Sequence, residues 1–210
     1  MQQWQQGLLL LNSRKRLPMV DLSFKNNRFP KKGSVLLSDP FLNDNYFTRS
    51  VVILCDFSNE GSFGFVLTNY LDVDLASLDP TFPIKNAKIS VGGPVETQHL
   101  FYVHQFGNQV DESIEIMNDL YFGGNYSQLQ TLLDENIENH KKVRFFLGYS
   151  GWGYSQLIEE LKENSWIVVN NITSQEIIDT EKEDFWKYCM EKQGKRYQIM
   201  SKFPKNPNEN

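Results

Sequence analysis

The stretch "VRFFLGYSGWGYSQLIEELKENSWIVV", Val143 to Val169, decides how the rest of the chain is read. An apolar segment runs to Gly148, Gly151 and Gly153 flank Trp152 in what reads as a loop, and a helical pattern begins at Ser155. Leu157, Ile158 and Leu161 recur at helical spacing, with Glu159, Glu160 and Glu163 facing water. A strand, a sharp bend and an amphipathic helix are therefore expected in succession. Three glycines around one large aromatic allow two readings: a ligand pocket at the bend, or a tight connection in which Trp152 plugs the core edge.

Working outward, "RSVVILCDF" (49–57) is apolar on both faces, as a central, doubly covered strand reads. "SNEGS" follows as a turn and "FGFVLTN" (63–69) returns as the hairpin partner. "GSVLLSDPF" (33–41) and "AKISV" (87–91) read as strands, the latter running into a turn forced by Gly92, Gly93 and Pro94. "HLFYVHQ" (99–105) and "SIEIMNDLYFGG" (113–124) read as further strands.

Helix punctuation is clearer. Ser127 with Gln130 forms a capping-box pattern ahead of Leu129, Leu132, Leu133 and Ile137. Thr180 with Glu183 is expected to cap a later helix that turns Phe185, Trp186, Cys189 and Met190 inward, and Gly194 to close it as a left-handed C-terminal cap. The class is α+β (α/β-like): a single compact domain with a mixed, largely antiparallel sheet flanked by helices. Residues 33–203 are assigned to that domain, 1–32 to a basic tail and 204–210 to a polar tail.

At 210 residues and 40% apolar, the composition is that of a soluble globular domain. No window approaches the ~18 apolar residues of a membrane span. "GLLLL" (7–11) is too short for a secretory segment and lacks basic residues before it, so a cytoplasmic location is expected. Residues 1–32 hold seven basic side chains against Asp21 alone, about +6. With a total of −5, the remainder is −5 − 6 = −11. So acidic a body repels phosphate backbones and argues against direct DNA binding. Met19 before "VDLSF" suggests that residues 1–18 are an upstream extension.

Several pieces then match one family in order and spacing: "GSVLLSDPFLND", "YFTRSVVILCDFSNEGSFGFVLTN", "VGGPV", "FFLGYSGWGYSQLIEELKENSWIVV", Trp186 and an ending in "FP-NP-N". Over about residues 33–208 the chain resembles the YqgE/AlgH family. The resemblance implies a bacterial cytoplasmic protein of α+β fold. It also carries a label of transcriptional regulator that rests on genetics and not on a visible DNA-binding element. Where the family commonly has Pro-Gly after the tryptophan loop, this chain has Tyr154-Ser155, and Ser155 is expected to cap the helix instead.

The chemistry is sparse. Gly148, Gly151 and Gly153 fit neither GxGxxG nor GxxxxGK[ST], and Ser150 is not in a GxSxG elbow. No ATP, flavin or nicotinamide fingerprint exists, so no cofactor is expected. His99 and His104 lie at odd spacing on one strand and His140 is distant, so no metal is expected either.

Arg49, with Ser50 at the strand start, is a candidate to grip an anion in bidentate fashion, or to pair with Glu60 or Asp44. Cys55, mid-strand, reads as an inert core thiol. The leading reading is a non-enzymatic binding or regulatory protein that takes a partner protein or small anion. Its candidate site is Arg49, Ser50, Glu60, Gly92, Gly93, Pro94, Gly148, Gly151, Trp152 and Gly153. The alternative is a hydrolase or transferase using Arg49 with Glu60 or Cys55.

Overall fold

The computed structural model describes residues 28–75, 84, 87–179 and 182–204. Ten strands are present among them: β1 (Val35–Ser38), β2 (Val51–Ser58), β3 (Gly61–Val66), β4 (Tyr70–Asp74), β5 (Lys88–Val91), β6 (Val95–His104), β7 (Ile114–Met117), β8 (Leu120–Phe122), β9 (Val143–Trp152) and β10 (Trp166–Val169). The helices are α1 (Tyr126–Glu135), α2 (Tyr154–Lys162), α3 (Ser174–Ile178), α4 (Phe185–Glu191) and α5 (Lys195–Met200).

The sheet runs β10-β1-β2-β3-β9-β6-β8-β7, with β5 paired to both β4 and β9. Every pairing is antiparallel except β5 with β9. This is the mixed, largely antiparallel α+β domain expected from the sequence.

β2 is the doubly covered strand. Val51, Ile53 and Cys55 join one core cluster with Phe65, Ile167, Trp186 and Met190, under α3, α4 and α5. Val52 and Leu54 join a second on the other face, with Leu157 and Leu161 of α2. α1 closes a third core, setting Leu129 and Leu133 against Tyr102 and Phe145.

Several boundaries move. β9 does not end at Gly148 but continues as one strand to Trp152, pairing with β3 as Ser62↔Trp152 and Gly64↔Ser150. Gly148 holds a left-handed φ of 68° within it, so the bend is absorbed inside the strand. Asn125, not Ser127, caps α1 by accepting from the Gln128 amide at 3.2 Å.

Thr180 lies outside the described residues; the cap of α4 is Asp184, whose carboxylate accepts from the Lys187 amide at 3.1 Å. Gly194 does hold a positive φ, 104°, but with ψ 178° it serves as the N-cap of α5. The proposed 1–18 extension and residues 205–210 of the polar tail likewise lie outside the described residues.

Candidate functional site

The glycine-bearing corners meet because the chain crosses over a strand. β5 pairs with β9 along the edge that β3 also uses, whereas β6 pairs along the opposite edge. The only link from β5 to β6 is Gly92-Gly93-Pro94, so it passes over β9 at Gly148–Ser150. Gly92 donates its amide to Leu147 O at 2.8 Å and accepts from the Val66 amide at 2.9 Å and the Ser150 hydroxyl at 3.0 Å.

Two backbones in contact leave no room for side chains. A Cβ on Gly92 would lie 2.2 Å from Gly148 O, and one on Gly93 would lie 2.4 Å from Ser150 N. Packing of chain on chain thus accounts for these glycines before any ligand is invoked. Gly153 differs: its Cβ would meet nothing within 4 Å. It caps α2 in an extended conformation, with the Gln156 side chain accepting from its amide at 3.3 Å. Ser155 is inside the helix and is not its cap.

The Trp152 indole is 5% exposed and points into the core. It stacks on Phe47 at 6.1 Å and meets Trp166 edge-on at 6.0 Å. Its N–H donates to Glu160 Oε2 at 2.9 Å; the Trp166 N–H donates to the same oxygen at 2.7 Å, and Gln156 Nε2 to Oε1 at 3.0 Å. Glu160, expected to face water, instead anchors α2 to two tryptophans. Trp152 thus plugs the core edge, and the little surface it keeps lies on the wall of the hollow beside the crossing.

Beside the crossing lies a hollow of about 670 Å³. Its floor is aromatic, with Phe63, Phe65, Phe101 and Tyr149, and its rim carries Asp56, Glu60 and Glu96. Gly151, Trp152 and Val95 form the wall next to the crossing. The β2–β3 register slips between Leu54 and Asp56, so Cys55 is an extra residue and Asp56 emerges at the hollow. Glu96 also departs from ordinary backbone, with φ 49°.

Arg49 is elsewhere. It precedes β2, while Glu60 sits in the turn after it, so eight extended residues, roughly 25 Å, separate them. Arg49 lines a second cavity of about 530 Å³ with Tyr70, Lys88, Lys182 and Trp186. Its guanidinium lies 5.0 Å from the Trp186 ring centre and donates to the Phe203 carbonyl. No ion pair to Glu60 or Asp44 forms. Ser50 is fully buried and structural: its amide donates to Ser38 Oγ at 2.8 Å and its hydroxyl to Tyr46 O at 3.0 Å.

Burial pushes the Cys55 thiol well up, helped by neighbouring Asp56, the opposite of what a thiolate nucleophile needs. Cys189 is pushed up to about 12, again chiefly by burial. His104 is buried; it accepts the Phe106 amide at Nδ1 (3.2 Å), so Nε2–H donates to Gly123 O at 3.0 Å. His99 is exposed beside Glu96. Among the described residues no group of three His, Cys, Asp or Glu side chains is arranged to hold a metal.

Sequence reasoning missed Arg144, which is 1% exposed in β9. It donates to Ile177 O (2.8 Å), Tyr70 Oη (3.0 Å), Ser90 Oγ (3.2 Å) and Leu67 O. A charge inside an otherwise apolar "VRFF" was its one visible signal. Tyr149 and Phe101 were missed as a floor, because pairing alone brings β6 and β9 side by side.

Fold and cavities together define a single α+β domain with two hollows flanking opposite ends of β2. Residues 35–198 match the family described as AlgH-like (DUF179), and the chain belongs to that family. A UPF0301 protein of Parabacteroides distasonis is 39% identical over 184 residues, covering 87% of this chain and 92% of the relative. One of Bacteroides thetaiotaomicron is 37% identical over 183 residues, with 87% and 92% covered.

Among solved structures, protein DIP2367 from Corynebacterium diphtheriae aligns with TM-score 0.71 at 24% identity, over 86% of this chain and 95% of that one. The AlgH protein from Pseudomonas aeruginosa aligns with TM-score 0.65 at 22% identity, over 82% and 94%. At these identities both speak to the fold alone. Among the described residues no helix is long and apolar enough to cross a membrane.

Proposed function

We propose that the protein is a non-enzymatic binding protein whose hollow beside the Gly92–Pro94 crossing receives basic side chains of a partner protein. The observation that carries this reading is the composition of the hollow: an aromatic floor of Phe63, Phe101 and Tyr149 under a rim of Asp56, Glu60 and Glu96. A ring face and a carboxylate each attract a lysine or arginine head group, and together they select it over an anion. The small-anion version of the sequence expectation therefore has no support at this hollow. Any effect on transcription runs through that partner, since the acidic body disfavours phosphate backbones.

The crossing supplies rigidity. Gly92 is pinned to both β3 and β9, so Val95 and Glu96 leave it at a fixed angle onto the rim. A preformed rim limits the ordering cost of binding.

The test is fluorescence polarisation with labelled peptides carrying lysine or arginine at several positions, against matched glutamine peptides. Binding is expected for the basic peptides only, weakened about tenfold in Glu60→Gln/Glu96→Gln and reduced by salt. Tyr149→Ala should weaken it as well. Basic and glutamine peptides binding alike, or binding indifferent to all three substitutions, would overturn the reading.

A further inference from the structure

We infer that the head group taken up by the hollow beside the crossing is a quaternary one, the trimethylammonium of a methylated lysine on the partner. This rests on the reading of that hollow as a receptor for cations and adds which cation it selects.

Strand pairing builds an aromatic box. Asp56 of β2 lies opposite Phe63 of β3, and Phe63 lies opposite Gly151 of β9, so the three form one row across one face of the sheet. Tyr149, two residues before Gly151, stands on the same face, with Val95 of β6 as its cross-strand partner. The Tyr149 ring meets Phe63 at 6.0 Å and 80°, and Phe101 at 5.7 Å and 85°. Two rings thus stand nearly at right angles to a third, each partly buried and each lining the hollow. The fully buried Phe65 braces two of them, 6.3 Å from Phe63 and 5.8 Å from Phe101.

Gly151 keeps the box open. Its φ is not in the left-handed region, so what its missing side chain provides is room. A Cβ there would lie 3.3 Å from Tyr149 Cε2 and 3.9 Å from Val95 Cγ2, on the wall of the hollow.

The protein does not fill these positions itself. Among the described residues, cations stack on Trp186, Tyr70, Phe106, Phe146 and Tyr188, and none stacks on Phe63, Phe101 or Tyr149. Nor, among those residues, do the Asp56 and Glu60 carboxylates have a hydrogen-bond or ion-pair partner. Glu96 Oε2 lies 3.6 Å from His99 Nδ1, with both side chains largely in solvent.

Ring faces discriminate among cations. A primary ammonium or a guanidinium carries N–H donors that leave water at a cost when they meet carbon instead of oxygen. Methylation removes those donors and spreads the charge over an apolar shell that ring faces attract. The rim carboxylates then balance the charge without having to reach the nitrogen. At about 670 Å³ the hollow holds more than one such head group, leaving room for the lysine stem and flanking residues of a peptide.

The experiment is fluorescence polarisation of the full chain with one short labelled peptide made in four forms. Its central residue is trimethyllysine, lysine, glutamine or the neutral tert-butyl carbon isostere of trimethyllysine. The trimethyllysine form is expected to bind about tenfold more tightly than the lysine form and the isostere, with choline chloride displacing it only at far higher concentration. Tyr149→Leu, which keeps apolar bulk, should bring trimethyllysine down to the isostere, and Gly151→Ala should weaken it severalfold. Unchanged near-ultraviolet circular dichroism checks folding, and the peptide series on the parent chain needs no variant. Lysine binding as tightly as trimethyllysine, with both above glutamine, would overturn the quaternary selection and leave the cation reading standing. All four forms binding alike would overturn both. The isostere matching trimethyllysine, choline matching the peptide, or a folded Tyr149→Leu variant that keeps the preference would each overturn the inference alone.

Discussion

Trp152 and Glu160 form the joint that holds α2 to the sheet: the indole N–H of one meets Oε2 of the other at 2.9 Å. The Trp166 indole uses the same oxygen at 2.7 Å, so one carboxylate satisfies two buried donors. Glu160→Ala strands both N–H groups in the core. A buried donor left without an acceptor costs about 1–3 kcal/mol, so a loss of about 3 kcal/mol is expected. Glu160→Gln retains one acceptor oxygen and should lose about 1 kcal/mol. Urea denaturation measures both, and equal losses in the two variants would refute the shared-acceptor account.

The crossing predicts a sharp contrast among glycines that look alike in sequence. Gly93→Ala places a Cβ 2.4 Å from Ser150 N at φ 154°, against backbone that cannot move aside. A loss of at least about 3 kcal/mol, or failure to fold, is expected. Gly153→Ser enters open space at a helix cap with φ −62° and should be neutral or gain a few tenths of a kcal/mol. Thermal melts of the two variants decide it.

Tyr154 is the first residue of α2, and Gly153 before it is extended at φ −62° and ψ 156°. Both are what a proline at the first helical position requires of itself and its predecessor. The Tyr154 ring is 47% exposed, so little packing is lost. Tyr154→Pro is therefore expected to stabilise the protein by about 0.4–1 kcal/mol through the unfolded chain. A lowered melting temperature would show that the start of the helix needs the Tyr154 side chain or amide.

The architecture was legible where burial forces a pattern. "VVILC" had to be covered on both faces, and Phe185, Trp186, Cys189 and Met190 had to share one, because apolar periodicity records which sides meet core. What lay hidden was set by pairing. Nothing local says that β5 and β6 take opposite edges of β9, so the glycines of both corners read as loop signals when they mark a backbone crossing. The same blindness joined Arg49 to the glycine corners as one site, though β2 holds Arg49 and Glu60 at its two ends. Glu160 defeated the helical pattern because its partners, the tryptophans of β9 and β10, are not on its own helix.

Arg144 ties four segments together through carbonyl and hydroxyl acceptors on Leu67, Tyr70, Ser90 and Ile177. A lysine has a single nitrogen and cannot span acceptors placed around a planar fork. Arg144→Lys is expected to lose most of what Arg144→Met loses, about 3 kcal/mol in each, from carbonyls left buried without donors. A lysine variant of parent stability, measured by chemical denaturation, would mean that charge alone is required.

Acid should weaken the fold in two stages. Burial pushes the His104 imidazole down, only partly offset by its bond to the Gly123 carbonyl. The unfolded chain then binds a proton more readily, so stability falls as pH drops below about 6.5. Partial burial pushes the Glu176 carboxyl up, but Lys192, Tyr188 and Thr173 outweigh it and hold it at about 2, against 4.5 ordinarily. That depressed value contributes stability present above 4.5 and lost as pH falls toward 2. The side chain is 16% exposed, and at 1.36 kcal/mol per unit the contribution is at most about 3 kcal/mol. At the alkaline end, the bond to Glu176 pushes the Tyr188 phenol up to about 12, so its contribution is whole below pH 10 and lost between 10 and 12. Glu176→Gln should flatten both the acid limb between pH 4.5 and 2 and the alkaline limb between pH 10 and 12, and leave the limb near 6.5 in place. An acid limb identical to the parent's, followed by urea midpoints across pH, would remove Glu176 from its assigned role in clamping α3 to α4.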